Sequence, residues 1–337
     1  MSSHCSANTA PADAEVAISV VVPVYGCPSA LPELHRRLTQ TLAELVDTYE
    51  IILVDDRCPM GSWEGVKSLA QADSHVVGVH LARNSGQSCA ITAGLDLARG
   101  SWAVVMDCDC QDPPEDIPIL YHKATEGYDV VFARRVGRKD SRLTLGLSHA
   151  FYRTFSFLVE AKIDPAIGNF SIASRRAYKA YTSMREHGRD YSLFMTWIGF
   201  EQATVDIVPE ERFEGKSSYT FGKKIALATE TITTHSTKPL LLSVQLGFLI
   251  SLAAFFVLVW LVINSLVSSD IPMGWPSTVA SIFLMGGLTI SAIGMVGIYV
   301  ANTFVESRNR PLYLVQDVVR SDEANEDANE SGQPCTW

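Results

Sequence analysis

The chain has 337 residues, of which 47% are hydrophobic, and its formal net charge is −10 at pH 7. An acidic chain argues against a general nucleic-acid binder, so no nucleic-acid partner is expected. The high hydrophobic content points to membrane segments. The seven cysteines are scattered, which predicts reduced thiols and no disulfide framework.

The first two thirds of the chain alternate strand patterns with helical patterns. A polar, flexible arm is expected over residues 1–16, without the apolar core of a secretory signal. Continuous apolar runs, typical of strands buried on both faces, occur at 18–25, 50–56, 75–82, 102–109 and 128–135. Between these runs lie segments whose apolar residues recur at helical spacing, as at 30–46. This order predicts an α/β domain over 17–220, with a mostly parallel sheet covered by helices. No G-x-G-x-x-G follows the first strand, which argues against a dinucleotide dehydrogenase.

Two later segments, 145–162 and 221–238, have amphipathic helical patterns. Both are candidates for the lipid headgroup region. A helix packed on the sheet is the alternative for 145–162. The segment 221–238 leads directly into an apolar region, so we interpret it as a juxtamembrane helix.

The C-terminal third contains two long apolar runs. No charged residue occurs from Leu240 to Val267 or from Ile271 to Val305, and each run exceeds the roughly 20 residues of a membrane-spanning helix. We predict two transmembrane helices within 239–305 and a tail over 306–337 with a disordered acidic end. By the positive-inside rule, the flanking basic residues predict that the α/β domain and both termini are cytoplasmic; they are Lys216, Lys223, Lys224, Lys238, Arg308 and Arg310.

The stretch “MDCDCQDPPED” at 106–116 allows two interpretations. A structural zinc site at Cys108 and Cys110 would need a second cysteine pair, and the sequence has none. On an extended strand the two thiols would point to one face and the two carboxylates to the other. We interpret the cysteines as packing residues, with a redox or metal role as the alternative.

The aspartates of the same stretch are stronger site candidates. Asp107 and Asp109 lie two residues apart at the end of a buried apolar strand, where carboxylates carry a desolvation cost unless a cation offsets it. Oxygen ligands suit Mg²⁺ or Mn²⁺; the alternative is an acidic turn that begins the next helix. Ligands of parallel sheets bind beyond the carboxyl ends of the strands, where Asp55, Asp56 and Arg134 also lie.

Several motifs in order carry a resemblance to a known family: “VVPVY”, “LVDD”, “NSGQSCAITAGLDLARG”, “MDCDCQDPPEDIP” and “RFEGKSSY”, followed by the two apolar runs. Over residues 17–315 the chain resembles family 2 glycosyltransferases of the Rossmann-like GT-A fold. In particular it resembles the polyprenyl-phosphate branch, which includes dolichol-phosphate mannose synthase and bactoprenol glucosyl transferases. The family's usual acidic stretch is Asp-Ala-Asp-Leu-Gln-x-Pro-Pro-Glu, so the cysteines stand where the family has small or apolar residues.

The resemblance implies roles for individual residues. Substrate contacts are implied for Pro23, Tyr25 and Asp55 at the nucleoside, for Asp107 near the ribose, sugar or metal, and for Arg134, Arg212 and Ser217 at the phosphates. The implied ligands of a Mg²⁺ or Mn²⁺ ion are Asp107, Asp109 and Gln111. The implied catalytic residues are Asp109, Arg134, Arg212 and Ser217. A purely structural role is the alternative for several charged residues: a turn cap for Asp56, a surface ion pair for Arg134 or Arg135, and a local salt bridge for Arg212.

The sequence departs from the family pattern at three places. Gly26-Cys27 replaces the usual Asn-Glu, and Arg57-Cys58 replaces Gly-Ser or Cys-Ser. Both changes flank the expected nucleobase pocket, so the identity of the base stays open. Residues 168–171, Gly-Asn-Phe-Ser, replace Gly-Asp-Phe-Arg, a change that bears on the choice of sugar.

The resemblance implies a membrane-anchored, inverting enzyme that moves a hexose from a nucleotide diphosphate sugar to a polyprenyl phosphate, undecaprenyl or dolichyl, in a bacterial inner membrane. A phosphate acceptor is mostly a dianion at pH 7, so it needs no strong general base. The first alternative, transfer to a saccharide or glycolipid hydroxyl, would need a base, for which Asp190 and Glu201 are weak candidates. The second alternative is a catalytically idle nucleotide-binding scaffold. A homo-oligomer formed through the spans is compatible with each of these.

Overall fold

The computed structural model of the chain describes residues 16–136, 164, 166–210, 236–267 and 274–321. These residues form an α/β unit, with 16–136, 164, 166–210 and 311–321, and a helical unit, with 236–267 and 274–310. The predicted amphipathic helix at 145–162, most of the predicted juxtamembrane helix at 221–238, and both Arg212 and Ser217 lie outside the described residues.

The α/β unit is built on one eight-stranded sheet. In chain order the strands are β1 (Ile18–Val24), β2 (Tyr49–Asp55), β3 (Val76–Leu81), β4 (Trp102–Val105), β5 (Val130–Arg135), β6 (Ile167–Ser174), β7 (Gln202–Ile207) and β8 (Val315–Val319). Their order across the sheet is β7-β5-β6-β4-β1-β2-β3-β8. β6 and β8 run antiparallel to their neighbours, and the other six strands share one direction.

Helices connect the strands. In the described part of the α/β unit they are α1 (Leu31–Leu45), α2 (Ser62–Ala72), α3 (Gln87–Leu97), α4 (Ile117–Thr125), α5 (Arg175–Ser183) and α6 (Tyr191–Trp197). A short 3₁₀ helix, Pro114–Asp116, precedes α4. Pro113 directly precedes this helix and Pro114 begins it. Proline suits a first helical turn because the backbone N–H that it lacks would have no partner within the helix there.

Each face of the sheet has its own apolar core, because successive strand residues point to opposite faces. In β1, Val20 belongs to the core that includes Leu34 of α1, and Val21 belongs to the core that includes Ile91 of α3. Helices therefore cover both faces, which explains strands that are apolar without alternation. The predicted Rossmann-like, mostly parallel sheet with helices on both faces is confirmed.

The predicted strand 102–109 is too long. β4 ends at Val105, and the chain then turns, with Cys110 at a φ of 56°, in the left-handed region. Burial still alternates in this turn: Cys108 and Cys110 are buried core residues, whereas Asp107 and Asp109 are partly exposed. The packing role predicted for both cysteines is confirmed, although a turn and not a strand separates them from the aspartates.

Cys108 also forms a disulfide with Cys27, 81 residues away in the sequence. The bond joins the loop after β1 to the turn after β4. The prediction of reduced thiols is therefore wrong for this pair, whereas Cys58, Cys89 and Cys110 are free thiols. Spacing could not reveal the bond, because the two residues meet only through the pairing of β1 with β4.

The helical unit consists of two long helices, α7 (Lys238–Val267) and α8 (Trp275–Ser307). The Tyr299 hydroxyl in α8 donates to the carbonyl of Ser236 at 2.6 Å, beside the start of α7. Among the described residues, Leu284–Ser307 is the helical stretch long and apolar enough to cross a membrane, and Lys238–Ile250 is a shorter apolar helix. Two transmembrane helices remain a prediction.

After α8 the chain returns to the sheet. β8 lies within the segment predicted as a tail, and it pairs antiparallel with β3. The sheet therefore contains strands that precede the helical unit in the sequence and one strand, β8, that follows it.

Candidate active site

The carboxyl ends of β1, β2, β3 and β4 lie at one edge of the sheet, because these neighbouring strands are parallel. Val24 is in register with Asp55, so the loops after β1 and β2 begin side by side. Tyr25 follows β1 directly and is 54% exposed. An aromatic ring is therefore presented to solvent at this edge.

Pro23 is buried within β1, although proline is rare in central strands. The backbone of Val21, two residues earlier, accepts a hydrogen bond from Met106, on the β4 side. β4 ends at Val105, in register with Val21, so no strand faces Pro23 on that side. Proline has no backbone N–H, and at this position no hydrogen bond to a neighbouring strand is lost through that.

Asp107 receives two side-chain hydrogen bonds. Its Oδ1 accepts from Gln87 Nε2 at 2.7 Å and from Asn169 Nδ2 at 3.3 Å. Burial, followed by the negative charges of Asp112 and Asp109, raises the pKa of Asp107 to about 6. A cation would relieve this crowding of negative charge.

Asp109 and Gln111 lie in the turn that follows. Asp109 Oδ1 accepts from the backbone N–H of Gln111 at 3.1 Å, and the Gln111 carbonyl accepts from the N–H of Glu210 at 2.9 Å. Across the described ranges, no three His, Cys, Asp or Glu side chains form a complete metal cage. A donor set of two carboxylates in one turn fits Mg²⁺ or Mn²⁺, which complete their shells with water and substrate phosphates.

Two adjacent arginines at the end of β5 have different partners. Arg135 forms a two-pronged ion pair with the buried Asp112, at 2.9 and 2.6 Å, and its charge acts to lower the pKa of Asp107. Arg134 pairs with Asp206 of β7 at 2.6 and 3.0 Å, and their side chains are 42% and 49% exposed. We call residues 107–112, which carry Asp107, Asp109 and Asp112, the acidic turn. The structure brings Arg135 to the acidic turn and leaves Arg134 in a surface ion pair, which was its alternative interpretation.

Asp56 organises the loop before α3. Its carboxylate accepts from the backbone N–H groups of Ser85 at 2.6 Å and Gly86 at 2.9 Å. The first residue of α3 is Gln87, the donor to Asp107. The turn cap considered for Asp56 is not what these bonds form, because the loop that Asp56 holds follows β3 and not β2.

The departures from the family pattern near Tyr25 are in mutual contact. The Gly26 N–H donates to Cys58 Sγ at 3.2 Å, and Cys27 is bonded to Cys108. Gly26 has a φ of 74°, which favours glycine. These substitutions therefore connect the loops after β1, β2 and β4 at the edge that carries the acidic turn.

Comparison with known proteins gives the family. A family model described as Glycosyl transferase family 2 matches residues 19–182. The chain is 33% identical over 299 residues to the uncharacterized glycosyltransferase YkcC of Bacillus subtilis, which covers 88% of this chain and 93% of that protein. The chain is a family 2 glycosyltransferase.

Two further relatives of this glycosyltransferase have more specific names. It is 31% identical over 304 residues to the prophage bactoprenol glucosyl transferase homolog of Escherichia coli, covering 89% of this chain and 99% of that protein. It is 34% identical over 325 residues to the undecaprenyl-phosphate 4-deoxy-4-formamido-L-arabinose transferase of Proteus mirabilis, covering 93% and 97%. The resemblance to the polyprenyl-phosphate branch is confirmed.

The glycosyltransferase was also compared with solved structures. Glucosyl-3-phosphoglycerate synthase from Mycobacterium tuberculosis, solved with Mn²⁺, UDP and phosphoglyceric acid, gives a TM-score of 0.47 at 18% identity, over 65% of this chain and 77% of that one.

Three residues beside the acidic turn of the glycosyltransferase were not predicted as site residues: Gln87, Asn169 and Arg135. Gln87 lies in the motif “NSGQ”, and Asn169 lies in one of the departures from the family pattern. The sequence therefore marked both positions as candidates for the site. Arg135 differs from the predicted Arg134 by one position, and its selection depends on the local geometry of β5.

The two weak candidates for a general base are not favoured by their positions. Glu201 directly precedes β7, and its carbonyl accepts from the N–H groups of Asp129 and Val130. This is the amino end of β5 and β7, the edge opposite the acidic turn. The Asp190 carboxylate accepts from the Leu193 N–H at 2.9 Å as the N-cap of α6.

Proposed function

We propose that this glycosyltransferase moves a hexose from a nucleotide diphosphate sugar to a polyprenyl phosphate, with inversion at the anomeric carbon, while anchored in a bacterial inner membrane. The observation that carries the proposal is the acidic pair Asp107 and Asp109, at the carboxyl edge of a sheet whose last strand follows two long apolar helices. The names of two relatives support it, because they include bactoprenol and undecaprenyl phosphate.

The acidic turn is suited to the diphosphate of the donor. Asp107 and Asp109 would hold a Mg²⁺ or Mn²⁺ ion, with Gln111 adjacent, and such an ion supplies charge neutralisation of a leaving diphosphate. Gln87 and Asn169 fix the Asp107 carboxylate by hydrogen bonds. A carboxylate held in this way needs little reorganisation during the reaction, which favours electrostatic stabilisation.

Other residues would hold the two ends of the donor. The exposed ring of Tyr25 offers a face on which a nucleobase stacks. Arg135 would add positive charge near the phosphates, together with Arg212 and Ser217, which stay predicted ligands outside the described residues. Both arginines are ion-paired, and Arg135 is preferred to Arg134 because its charge acts on Asp107.

The acceptor chemistry asks little of the protein. A phosphate monoester has a second pKa near 6, so at pH 7 it is mostly a dianion that attacks the anomeric carbon directly. Attack opposite the leaving diphosphate inverts that carbon. The protein has to orient the two substrates and exclude water. The position of Glu201 at the opposite edge of the sheet therefore does not impede this reaction.

Membrane anchoring is supported by the path of the chain. β7 precedes the helical unit in sequence, β8 follows it, and both strands belong to one sheet. A chain that leaves a sheet and returns to it on the same side of a membrane crosses that membrane an even number of times, and the proposed two spans agree with this. The basic residues that flank the apolar runs support a cytoplasmic site for the α/β unit.

The test uses the full chain in membranes, with Mg²⁺ or Mn²⁺, a short polyprenyl phosphate and radiolabelled UDP-, GDP- and dTDP-hexoses. We expect label in a lipid that releases its sugar in mild acid, because a glycosyl phosphate is acid-labile. Label found only in polysaccharide would contradict the lipid phosphate acceptor and favour a hydroxyl acceptor.

Asp109→Asn tests the acidic turn within that assay. The amide has nearly the same volume but no charge, so we expect transfer to fall by roughly a hundredfold or more. Asp206→Asn is the matched control, because it removes an exposed carboxylate from the ion pair with Arg134. If Asp109→Asn transfers sugar as fast as the wild type, the acidic turn is not the catalytic site.

A further inference from the structure

A chain of polar side chains links the ends of β2, β3 and β8. Asp55 Oδ2 lies 2.8 Å from His80 Nδ1, and His80 Nε2 lies 3.3 Å from Arg57 Nη1. The same Arg57 nitrogen donates to Gln316 Oε1 at 2.7 Å. A guanidinium has donors and no acceptor, so His80 Nε2 accepts and His80 Nδ1 donates its proton to Asp55. Each hydrogen bond of this polar chain has a defined direction.

The members of the polar chain differ in exposure. Asp55 is fully buried, and His80 is buried and stacks on Trp63 with ring centroids 4.7 Å apart. Arg57 and Gln316 are exposed. A ligand that reaches this edge therefore meets the Arg57 guanidinium, while Asp55 lies behind it and acts on it through His80.

The backbone of Arg57 is held in an uncommon conformation. Its φ is 53°, in the left-handed region that a side chain with a Cβ disfavours. Such conformations persist where the surroundings fix them, and they concentrate at ligand sites. The guanidinium of the same residue is held by the hydrogen bonds to His80 and Gln316, and the residue stands where the family has a small side chain.

Gln316 owes its position to a β-bulge. In the pairing of β3 with β8, His80 is opposite Asp317 and Leu81 is opposite Val315, so Gln316 is the extra residue. A bulge re-aims the side chain that it carries. The strand that returns after the helical unit thus supplies the acceptor that holds Arg57.

We propose that Arg57, positioned by Gln316 and by the His80–Asp55 pair, reads the nucleobase of the donor and selects bases that carry a carbonyl oxygen at C4 of a pyrimidine or at C6 of a purine. The inference rests on the proposed function, because it concerns the nucleotide of the same donor. Arg57 is the residue that touches the base; Gln316, His80 and Asp55 are positioning residues.

The chemistry of the bases defines the selection. A guanidinium only donates, so it matches the O4 of uracil or thymine and the O6 and N7 of guanine. At the corresponding positions adenine and cytosine carry exocyclic amino groups, which also donate. Nucleotides of uracil, thymine or guanine are therefore accepted, and those of adenine and cytosine are rejected.

The test measures binding of UDP, dTDP, GDP, ADP and CDP to the full chain in detergent with Mg²⁺, by calorimetry. At least one of the first three should bind roughly ten- to a hundredfold more tightly than both ADP and CDP. The readout is the dissociation constant of ADP divided by that of the preferred nucleotide. Loss of a merely structural contact or of a phosphate contact would weaken the binding of all five nucleotides alike and would leave this ratio unchanged.

Arg57→Gln should reduce this ratio to near one. Gln316→Leu should reduce it in the same direction but less, and adding Gln316→Leu to Arg57→Gln should have no further effect, since both act through one guanidinium. Asp317→Asn, an exposed neighbour in β8, is the matched control and should keep the wild-type ratio. Equal weakening of all five nucleotides by Arg57→Gln overturns the inference.

The outcomes also separate this inference from the proposed function. Lipid-linked product together with an unchanged ratio in both variants overturns the base-reading role alone. A wild-type protein that selects a carbonyl base but makes no lipid-linked sugar contradicts the proposed function alone. A wild-type protein that binds none of the five nucleotides contradicts both.

Discussion

The aspartates of the acidic turn differ in their burial and in the positive charge that each one has as a partner. Asp107 and Asp109 are partly exposed and would share a cation, whereas Asp112 is buried and has its positive partner within the protein, Arg135. Asp112 therefore stabilises the fold and holds Arg135 at the same time.

Asp112→Asn should lower the free energy of unfolding by about 3 kcal/mol, because breaking a buried ion pair leaves the other charge uncompensated. The low end of the usual range applies, since the Arg135 side chain keeps 20% exposure. Chemical denaturation of the full chain in detergent measures the change. Asp206→Asn breaks the exposed pair with Arg134 and should shift the midpoint little; equal shifts in the two variants would contradict this assignment of the arginines.

The choice between the two arginines could not be made from the sequence. Both lie at the end of an apolar run, and strand alternation sends them to different sides. The pairing of β5 with β6 shifts register between Phe132 and Arg134, so even a correct strand prediction would not say which one faces the acidic turn. The place of Asp107 and Asp109 at the carboxyl end of the sheet could be predicted, because they end a continuous apolar run; their role in the site stays a prediction.

Helix α3 shows how a whole element positions a site residue. It begins at Gln87, which contacts Asp107, and packs on the sheet through Gly94. A Cβ at Gly94 would lie 2.3 Å from Val21 Cγ1 and 3.1 Å from Val54 Cγ2. The glycine thus lets α3 approach the sheet closely enough for Gln87 to reach the acidic turn.

Gly94→Ala should destabilise the protein by roughly 1–3 kcal/mol through overpacking, and should also reduce sugar transfer because α3 must move. Gly65→Ala in α2 is the matched control, since its Cβ would meet only Leu31 Cδ1 at 3.6 Å. Alanine is the better helix former by about 1 kcal/mol, so the control should be neutral or more stable. Thermal unfolding and the transfer assay measure the two effects, and a neutral Gly94→Ala would show that the contact is loose.

The disulfide links two elements in the same region. In protein purified without reductant, mass spectrometry of proteolytic fragments should recover a Cys27 peptide joined to a Cys108 peptide. Reduction should remove that species and lower the stability by roughly 4.5 kcal/mol, the loop-closure value for the 81-residue separation. In denaturant without reductant, Cys27 should be alkylated in Cys108→Ser but not in Cys110→Ser, because Cys27 is buried in the folded protein. Alkylation of Cys27 in the unreduced wild type would show that the bond is absent.

The elements could be predicted where a strand is a continuous apolar run. The first five strands were found in this way, with ends shifted by a few residues, because parallel strands covered on both faces must be apolar throughout. β6 has glycine, asparagine and serines within its eight residues, and β8 is short and partly exposed. Their stability comes from pairing with strands distant in sequence, which local patterns do not record.

The whole molecule depends on the return of the chain after α8. β8 covers the edge of β3 and supplies Gln316. Other contacts secure the same segment, since the Leu314 carbonyl accepts from the Ala82 N–H at 2.8 Å and the Tyr313 hydroxyl bonds to Asp96. The C-terminal strand is therefore part of the sheet although it is separated from β7 by the helical unit.

Two shortened proteins test this dependence. One ends after residue 235; the other replaces 236–310 with a Gly/Ser linker of about 20 residues, whose reach is roughly 25 Å, and keeps 311–337. The first exposes the β3 edge, which favours aggregation, and lacks Gln316, so we expect a lower unfolding temperature and weak base selection. The linked protein should stay monomeric by size exclusion and select the same base as the full chain, but without the apolar helices it should not glycosylate a membrane-borne polyprenyl phosphate. Equal stability and selectivity in the two proteins would show that β8 is dispensable and would contradict its role in holding Arg57.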